Sequence, residues 1–233
     1  MNLETNSMLG INGYGRELTQ AEIDKKIHRH FVGAMWEEIG ILQFDFLVGQ
    51  GLKPCHRLLD IGCGCLRGGL HFIRYLNEGN YYGLDVNSSL IRAGRIEIKE
   101  AGLEYKRPEL LVNDKFRIEK FNTEFDFMVS VSLFTHLPMD IIIRCLSEVK
   151  KYLKPTGAYF STIFEAPESA HIDNLKHQPG GVVTNYNSDP FHYSFEEISH
   201  AAETAGLEAK LYRDWNHPRN QKMVIFTQGA CQE

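Results

Sequence analysis

The stretch Arg57-Leu58-Leu59-Asp60-Ile61-Gly62-Cys63-Gly64-Cys65-Leu66-Arg67-Gly68-Gly69 decides the fold of this chain. Its short apolar run ends in an acidic residue, small residues and glycines, a pattern typical of a buried parallel strand that turns sharply into a helix. Glycines in such a turn let a ligand come close to the main chain. The stretch therefore predicts a strand, a turn and then a helix whose N-terminus faces the turn, which is the local arrangement of a nucleotide-type site. Its helical pattern is carried by apolar residues at spacings of three and four: Leu66, Leu70, Ile73 and Leu76.

Length and composition indicate an ordinary globular protein. The chain has 233 residues, of which 43% are apolar and 24% charged, enough for one substantial α/β domain with an appendage. The formal net charge is −5 and no basic run occurs, so we expect no nucleic-acid partner.

Cysteine usage and hydropathy bear on the compartment. The five cysteines are odd in number and lack a paired C-x-x-C pattern, which favours a reducing environment. The first residues show no positive region followed by an apolar core, and no apolar run reaches membrane-spanning length. These features predict a cytoplasmic protein without a membrane partner. The cysteines are Cys55, Cys63, Cys65, Cys145 and Cys231.

Strand and helix patterns alternate through the middle of the chain. Apolar runs that end in polar or small residues are separated by helical stripes, which predicts an open parallel sheet with ligands at the carboxyl ends of its strands. After the fifth run the alternation stops, and one more helix precedes two final strands. The predicted strands are residues 57–61, 81–86, 110–113, 125–131, 158–164, 207–213 and 222–227.

The N-terminal region is predicted to form a helical cap. Residues 1–18 lack periodicity and are expected to be mobile unless a ligand orders them. Thr19 begins a capping-box pattern, after which Ile23, Ile27 and Phe31 would lie on one face of a helix. A second helix starts near Trp36. The predicted division is a cap or lid at 1–53 and a catalytic domain at 54–233.

A long segment without helical or strand periodicity follows the fifth strand. It spans about 165–193 and contains several prolines and glycines and three histidines. A connection of this length in a compact domain is usually a functional loop. We therefore expect a substrate loop here.

Four motifs in order resemble those of the class I S-adenosylmethionine-dependent methyltransferases. They are Asp60-x-Gly62-x-Gly64, Asp85 at the end of the second strand, residues 125–137 around the fourth strand, and Leu153-Lys154-Pro155-x-Gly157 before the fifth. The resemblance covers roughly residues 55–165. It implies an α/β fold with a Rossmann-like, doubly wound, seven-stranded sheet that is mostly parallel with an antiparallel last strand.

The chain departs from the family's pattern at one position and is similar to one of its subgroups at two others. A third glycine is frequent where this chain has Leu66, so Gly68 and Gly69 are expected to supply the flexibility instead. The Leu-Arg-Gly-Gly extension and the segment 217–223 are similar to a bacterial subgroup of small-molecule methyltransferases. A nicotinamide oxidoreductase is disfavoured, because its fingerprint needs a glycine where Arg67 stands.

The resemblance implies S-adenosylmethionine as the cofactor and assigns residues to it. The turn and Asp60 would contact the methionine part of the cofactor. Arg67 would bind the cofactor's carboxylate, unless Arg67 forms only a surface ion pair. Asp85, at the end of the second strand, would accept hydrogen bonds from the ribose diol. Residues after the third strand would bind the adenine, and two serines at the end of the fourth would lie beneath the sulfonium. The predicted cofactor residues are Asp60, Gly62, Cys63, Gly64, Arg67, Asp85, Val86, Asp114, Phe116, Ser130 and Ser132.

The candidates for catalysis are groups able to take a proton near neutral pH on the substrate side of this fold. They are His136, Glu165, His192 and His217, with Gln43, Tyr193 and Arg219 as candidate substrate contacts. No pair of these has metal-site spacing, so no metal is predicted.

The predicted reaction is O-methylation of a small-molecule partner, a sugar or secondary-metabolite hydroxyl, by in-line displacement. N-methylation of a small molecule stays open as the second hypothesis. A non-catalytic protein that binds the cofactor as a regulator or partner subunit is the third.

Overall fold

The computed structural model describes residues 13–167, 169 and 172–229. The expectations for residues 1–12 and for Cys231 lie outside these ranges. Nine strands lie within the described residues, and the short sixth and seventh strands were not predicted from the sequence. The strands are β1 (Leu58–Ile61), β2 (Tyr81–Asp85), β3 (Glu109–Val112), β4 (Phe125–Ser130), β5 (Leu153–Ile163), β6 (Leu175–Lys176), β7 (Val183–Thr184), β8 (Glu208–Tyr212) and β9 (Lys222–Thr227).

Seven strands form one sheet in the order β3-β2-β1-β4-β5-β9-β8. The first five strands pair in parallel, while β9 is antiparallel to both β5 and β8. The last strand of the chain is thus antiparallel, as predicted, and it lies inside the sheet. The predicted Rossmann-like fold class is confirmed.

Seven α-helices accompany these strands in the described part of the chain. Three of them begin after a side-chain cap: Thr19 before Gln20–Asp24, Asn87 before Ser88–Glu100 and Ser194 before Phe195–Thr204. Both faces of the sheet are covered: Leu58 belongs to an apolar cluster with residues of the third and fourth helices, and Leu59 to one with residues of the sixth and seventh. The helices are α1 (Gln20–Asp24), α2 (Ile27–Phe31), α3 (Trp36–Gly49), α4 (Gly69–Tyr75), α5 (Ser88–Glu100), α6 (Met139–Tyr152) and α7 (Phe195–Thr204). None of these helices is long and apolar enough to cross a membrane.

The N-terminal helix was predicted with the wrong register. The Thr19 capping box is present, but the chain breaks at Lys26, whose φ of 57° is left-handed, so α1 and α2 are separate helices. The break turns Ile27 outward, where it is 38% exposed, and turns His28 inward. The predicted apolar face of Ile23, Ile27 and Phe31 is therefore wrong.

An ion cluster joins α2 to α5. Glu97 accepts hydrogen bonds from His28 Nε2 at 2.8 Å and from both the Nε and Nη2 atoms of Arg29 at 2.8 and 2.7 Å. Burial opposes ionisation of Glu97, but these hydrogen bonds outweigh it and bring its pKa to about 2. The cluster holds the N-terminal helices against the body of the domain.

Replacing Glu97 by glutamine should lower the free energy of unfolding by about 3 kcal/mol, because His28 and Arg29 would lose their anion in a buried setting. The control is Glu100→Gln, which removes an exposed partner of Lys26 and should cost at most about 1 kcal/mol. Urea denaturation followed by circular dichroism measures both. The Glu97 contribution should be complete above the ordinary glutamate pKa and disappear as pH falls toward 2. Equal losses for the two variants would contradict this role.

The 165–193 segment is more ordered than its sequence predicts. Residues of β6 and β7 pair as a short antiparallel ribbon. The end of the segment is fixed to the chain after β4, where Phe191 N donates to Thr135 O at 2.8 Å and Tyr193 Oη donates to Leu137 O at 2.7 Å. These bonds place the segment over the carboxyl end of the sheet.

Candidate active site

A cavity of about 390 Å³ lies at the carboxyl ends of the parallel strands. Its floor comes from the turns after β1, β2, β3 and β4, and its cover from the N-terminal region and the 165–193 segment. The antiparallel course of β9 brings a third cover to the same edge, because Lys222 at the start of β9 pairs with Ile163 at the end of β5. The preceding turn supplies Arg219 and Gln221 to the lining.

The turn after β1 is built around three left-handed backbone positions, Gly62, Gly64 and Leu66. Gly62 has a φ of 73°, and a Cβ there would lie 3.0 Å from Leu133 Cδ1. Leu66 also has a positive φ, of 74°, at a cost of about 1–2 kcal/mol. The expected substitution of Gly68 and Gly69 for the missing glycine is wrong: Gly68 is right-handed and Gly69 begins α4. These two glycines allow close packing instead, since a Cβ on either would lie within 2.6 Å of Gln43 Oε1 or Tyr81 Oη.

Asp60 is a buried carboxyl group at the end of β1. Tyr81 Oη donates a hydrogen bond of 2.8 Å to its Oδ2. Burial, with a smaller contribution from Asp85, raises the pKa of Asp60 to about 7, while the hydrogen bond from Tyr81 and the charge of Arg67 oppose the rise. The group can therefore change its protonation state near neutral pH when a charged ligand binds.

Asp85 ends β2 with both carboxylate oxygens held by main-chain donors. Gly64 N donates to Oδ2 at 2.9 Å and Asn87 N donates to Oδ1 at 2.8 Å. Burial raises its pKa, and the backbone hydrogen bonds oppose that rise. Each oxygen keeps lone pairs for a second donor, so this fixed carboxylate can bind two neighbouring hydroxyl groups. Val86 lines the cavity beside it.

The residues after β3 divide between two sites. Phe116 is buried and lines the cavity, together with Asn113, which the sequence analysis missed. Asn113 Oδ1 accepts from the main-chain nitrogens of Lys115 and Arg117 at 2.9 Å each and shapes this turn. Asp114 lies in a shallower neighbouring depression and does not line the main cavity.

The two predicted serines after β4 have different surroundings. Ser130 is fully buried among Tyr159 and Ser161, with oxygen–oxygen distances of 2.6 and 2.8 Å, and does not reach the cavity. Ser132 lines the cavity and donates to Gln221 Oε1 at 3.0 Å. Its φ of 63° marks a left-handed residue at this edge of the site.

His136 lines the cavity with a carboxylate behind it. Its Nδ1 is hydrogen-bonded to Asp189, a residue of the 165–193 segment. The ring of Tyr14 packs edge-on against the imidazole, with ring centres 4.7 Å apart. The pKa of Tyr14 is raised by burial first and then by Asp189, which keeps the phenol protonated. The bond to Asp189 occupies Nδ1 and fixes the orientation of the imidazole.

Two arginines also line the cavity. Arg67 is 8% exposed, and its Nη1 donates to Val32 O at 3.0 Å and Ala34 O at 3.2 Å, while its buried Nε has no partner among the described residues. Burial, and next the charge of Arg219, lower its pKa to about 10, so it stays charged. Arg219 Nη2 donates to Gly33 O in the N-terminal region.

The remaining candidates lie away from the cavity, with one exception. Glu165 pairs with Arg213 at 2.6 Å, and His192 is fully buried with Nδ1 2.7 Å from Thr184 Oγ1. His217 stacks on Trp215 behind the lining, and Tyr193 is held by its bond to Leu137 O. Only Gln43 of this group lines the cavity. Among the described residues, no three His, Cys, Asp or Glu side chains are grouped to hold a metal ion.

Part of the chain is similar to known methyltransferases. Residues 58–157 match the family model of a methyltransferase domain, and this part of the chain carries the glycine turn, Asp60 and Asp85. A relative, the 24-methylenesterol C-methyltransferase 2 of Oryza sativa subsp. japonica, is 30% identical over 125 residues, which are 54% of this chain and 33% of that protein. The chain thus spans a third of that relative's length, and 47% of the length of the probable methyltransferase ltbC of Aspergillus luteorubrus.

Solved methyltransferase structures share the fold of this chain over most of its length. An S-adenosylmethionine-dependent methyltransferase from Clostridium acetobutylicum ATCC 824 superposes with a TM-score of 0.66 at 12% identity, covering 91% of this chain and 100% of that one. The glycopeptide N-methyltransferase MtfA, crystallised with S-adenosylmethionine, gives 0.61 at 14% identity, covering 81% and 94%.

Proposed function

We propose that this chain transfers the methyl group of S-adenosylmethionine to a hydroxyl oxygen of a small molecule. The observation that carries the proposal is the His136–Asp189 pair, which lines the same cavity as Asp85 and the glycine turn. A neutral amine needs no base before it attacks a methyl group, whereas a hydroxyl must lose its proton. A carboxylate-oriented imidazole therefore favours oxygen over nitrogen as the acceptor.

The lining of the cavity offers a suitable group to each part of the proposed cofactor. The fixed carboxylate of Asp85 suits a ribose diol, Phe116 offers an apolar ring for the adenine, and the turn at Gly62 gives the methionine part access to the main chain. The buried Arg67 Nε can donate to the cofactor's carboxylate. When bound, the cofactor supplies a methyl group activated by a sulfonium.

The protein's own groups then align and deprotonate the acceptor. His136 takes the hydroxyl proton, and Asp189 stabilises the imidazolium that forms, in the manner of other carboxylate–histidine pairs. The Ser132–Gln221 hydrogen bond fixes the wall beside the reacting carbon. The cover from Tyr14 and Pro190 excludes water and limits the space, which favours a small acceptor.

Cofactor binding should release protons through Asp60. Its carboxyl group is largely protonated below pH 7 because its pKa is raised to about 7, and the cofactor's ammonium group should favour the ionised form. At pH 6.5 we expect release of about half a proton or more on binding, with affinity rising as pH passes through 7. Calorimetry in buffers of different ionisation enthalpy measures the release. Asp60→Asn should abolish it, and unchanged release in that variant would assign it to another group.

The proposed reaction is tested by incubating the protein and isotopically labelled S-adenosylmethionine with a metabolite library. Mass spectrometry then finds labelled products, and nuclear magnetic resonance identifies the methylated atom. A methyl ether supports the proposal, and a methylamine would replace it with N-methylation. Tight cofactor binding without transfer to any library compound would favour a non-catalytic binding protein.

A further inference from the structure

Two arginine side chains carry the positive charge of the cavity. Arg67 and Arg219 both line it, and neither forms a salt bridge within the described ranges. Burial lowers the pKa of Arg67, and the charge of Arg219 lowers it further. An anion bound beside the two arginines would offset their repulsion.

The wall around Arg219 offers hydrogen-bond donors and few acceptors. Gln221 Oε1 already accepts from Ser132 Oγ at 3.0 Å and Thr162 Oγ1 at 2.7 Å, so the remaining polar group of this amide is its NH₂. Gln221 is 3% exposed and lines the cavity beside Arg219. A donor-rich wall of this kind suits an anionic ligand.

His217 adds no negative or accepting group to this wall. Its Nδ1 accepts from Arg219 N at 3.2 Å, so the proton of the neutral ring is on Nε2, which is buried without a partner among the described residues. Burial, followed by the charges of Arg67 and Arg219, lowers the pKa of His217 to about 3, and the ring is neutral at physiological pH. The turn before β9 thus supplies no anion to Arg219 through His217.

The acidic side chains of the site are held by other partners. Asp60 accepts from Tyr81 Oη, Asp85 accepts from Gly64 N and Asn87 N, and Asp189 is hydrogen-bonded to His136. None of the three forms a salt bridge with either arginine in the described part of the chain. Arg219 can therefore pair with an anionic group of the acceptor.

We infer that the acceptor carries a carboxylate or phosphate group and that Arg219 and Gln221 bind it. The inference rests on the proposed function and names the substrate class of the same site. Arg67 is assigned to the cofactor because it lies in the turn after β1. Arg219 is assigned to the acceptor because it lies against Gly180 of the 165–193 segment, where an added Cβ would be 2.8 Å from Arg219 Cα.

The test uses the full chain saturated with S-adenosylhomocysteine, titrated by calorimetry with four small probes. Benzoate and phenyl phosphate carry the two candidate anions, and benzamide and benzyl alcohol are their neutral counterparts. We expect at least one anion to bind 10-fold or more tightly than its neutral counterpart. The stronger of the two anions then distinguishes a carboxylate acceptor from a phosphate acceptor.

Variants locate the anion within the cavity. Arg219→Gln should remove the preference for the anion, Arg219→Lys should keep part of it, and both should bind S-adenosylhomocysteine within 2-fold of the parent protein. Arg67→Gln should instead weaken S-adenosylhomocysteine binding. Thermal denaturation verifies that each variant is folded. If Arg219→Gln does not fold, the anion preference of the parent protein still tests the inference.

Two results would overturn the inference while leaving the proposed function intact: equal binding of anionic and neutral probes, or an anion preference that survives in folded Arg219→Gln. Failure of the parent protein to bind S-adenosylhomocysteine would instead overturn the proposed function, and the inference with it.

Discussion

Replacing Asp85 by asparagine is expected to weaken binding of S-adenosylhomocysteine by about 100-fold or more. The carboxylate is held by Gly64 N and Asn87 N and is proposed to accept both ribose hydroxyls. Hydrogen bonds to a charged group are worth about 1.5–3 kcal/mol each, so losing two of them gives at least this factor. Asparagine has only one acceptor oxygen. Its NH₂ group would face a main-chain N–H that donates to the carboxylate in the parent protein, so two donors would oppose each other there. Calorimetric titration measures the change.

The matched control for this variant is Asp45→Asn, which removes the same charge from an exposed position on α3. It should bind S-adenosylhomocysteine like the parent protein. Both variants should keep the parent circular dichroism spectrum. If folded Asp85→Asn kept the parent affinity, the ribose would have to lie elsewhere, and the cofactor assignment of the cavity would be wrong.

Replacing His136 by glutamine is expected to lower the methyl-transfer rate by about 100-fold to 10,000-fold, the usual contribution of a general base. The affinity for S-adenosylhomocysteine should stay within a few-fold, because His136 is assigned to the acceptor. Single-turnover transfer to the acceptor found in the library screen measures the rate.

Asp189→Asn should have a smaller effect than the loss of His136, because the imidazole remains while its orientation and its charged form lose support. His200→Gln is the control, an exposed histidine on α7 that should leave the rate unchanged. A fast His136→Gln variant would remove the argument for a hydroxyl acceptor and favour nitrogen.

Local patterns were sufficient to predict the cofactor half of the fold. The apolar run before Gly62, the acidic end of β2 and the caps of α5 and α7 are each set by residues close in sequence, and the strand–helix alternation predicts the parallel part of the sheet. Where a local rule was broken, the prediction was wrong in detail: Leu66 takes a left-handed conformation that sequence patterns reserve for glycine.

The acceptor half depends on contacts between distant segments. Asp189 meets His136 across 53 positions, and Tyr14 reaches the same imidazole from the N-terminal region. Neither residue lies in a periodic element, so no local signal marks it. Gln221 follows the predicted residues His217 and Arg219 closely, but no local signal marks it, because its contacts are to Ser132 after β4 and Thr162 on β5.

The antiparallel course of β9 has an evolutionary consequence. It returns the chain to the catalytic edge after the family-matched residues 58–157 have ended, so Arg219 and Gln221 belong to a stretch outside that match. On the proposed assignments, the residues that bind the acceptor's anionic group are encoded apart from those that bind the cofactor, while His136 lies within the matched stretch. Selection can diversify the late segment and the N-terminal cover while the inherited nucleoside pocket is preserved. Exchanging residues 165–221 between homologous enzymes is accordingly a rational route to transplanting acceptor specificity.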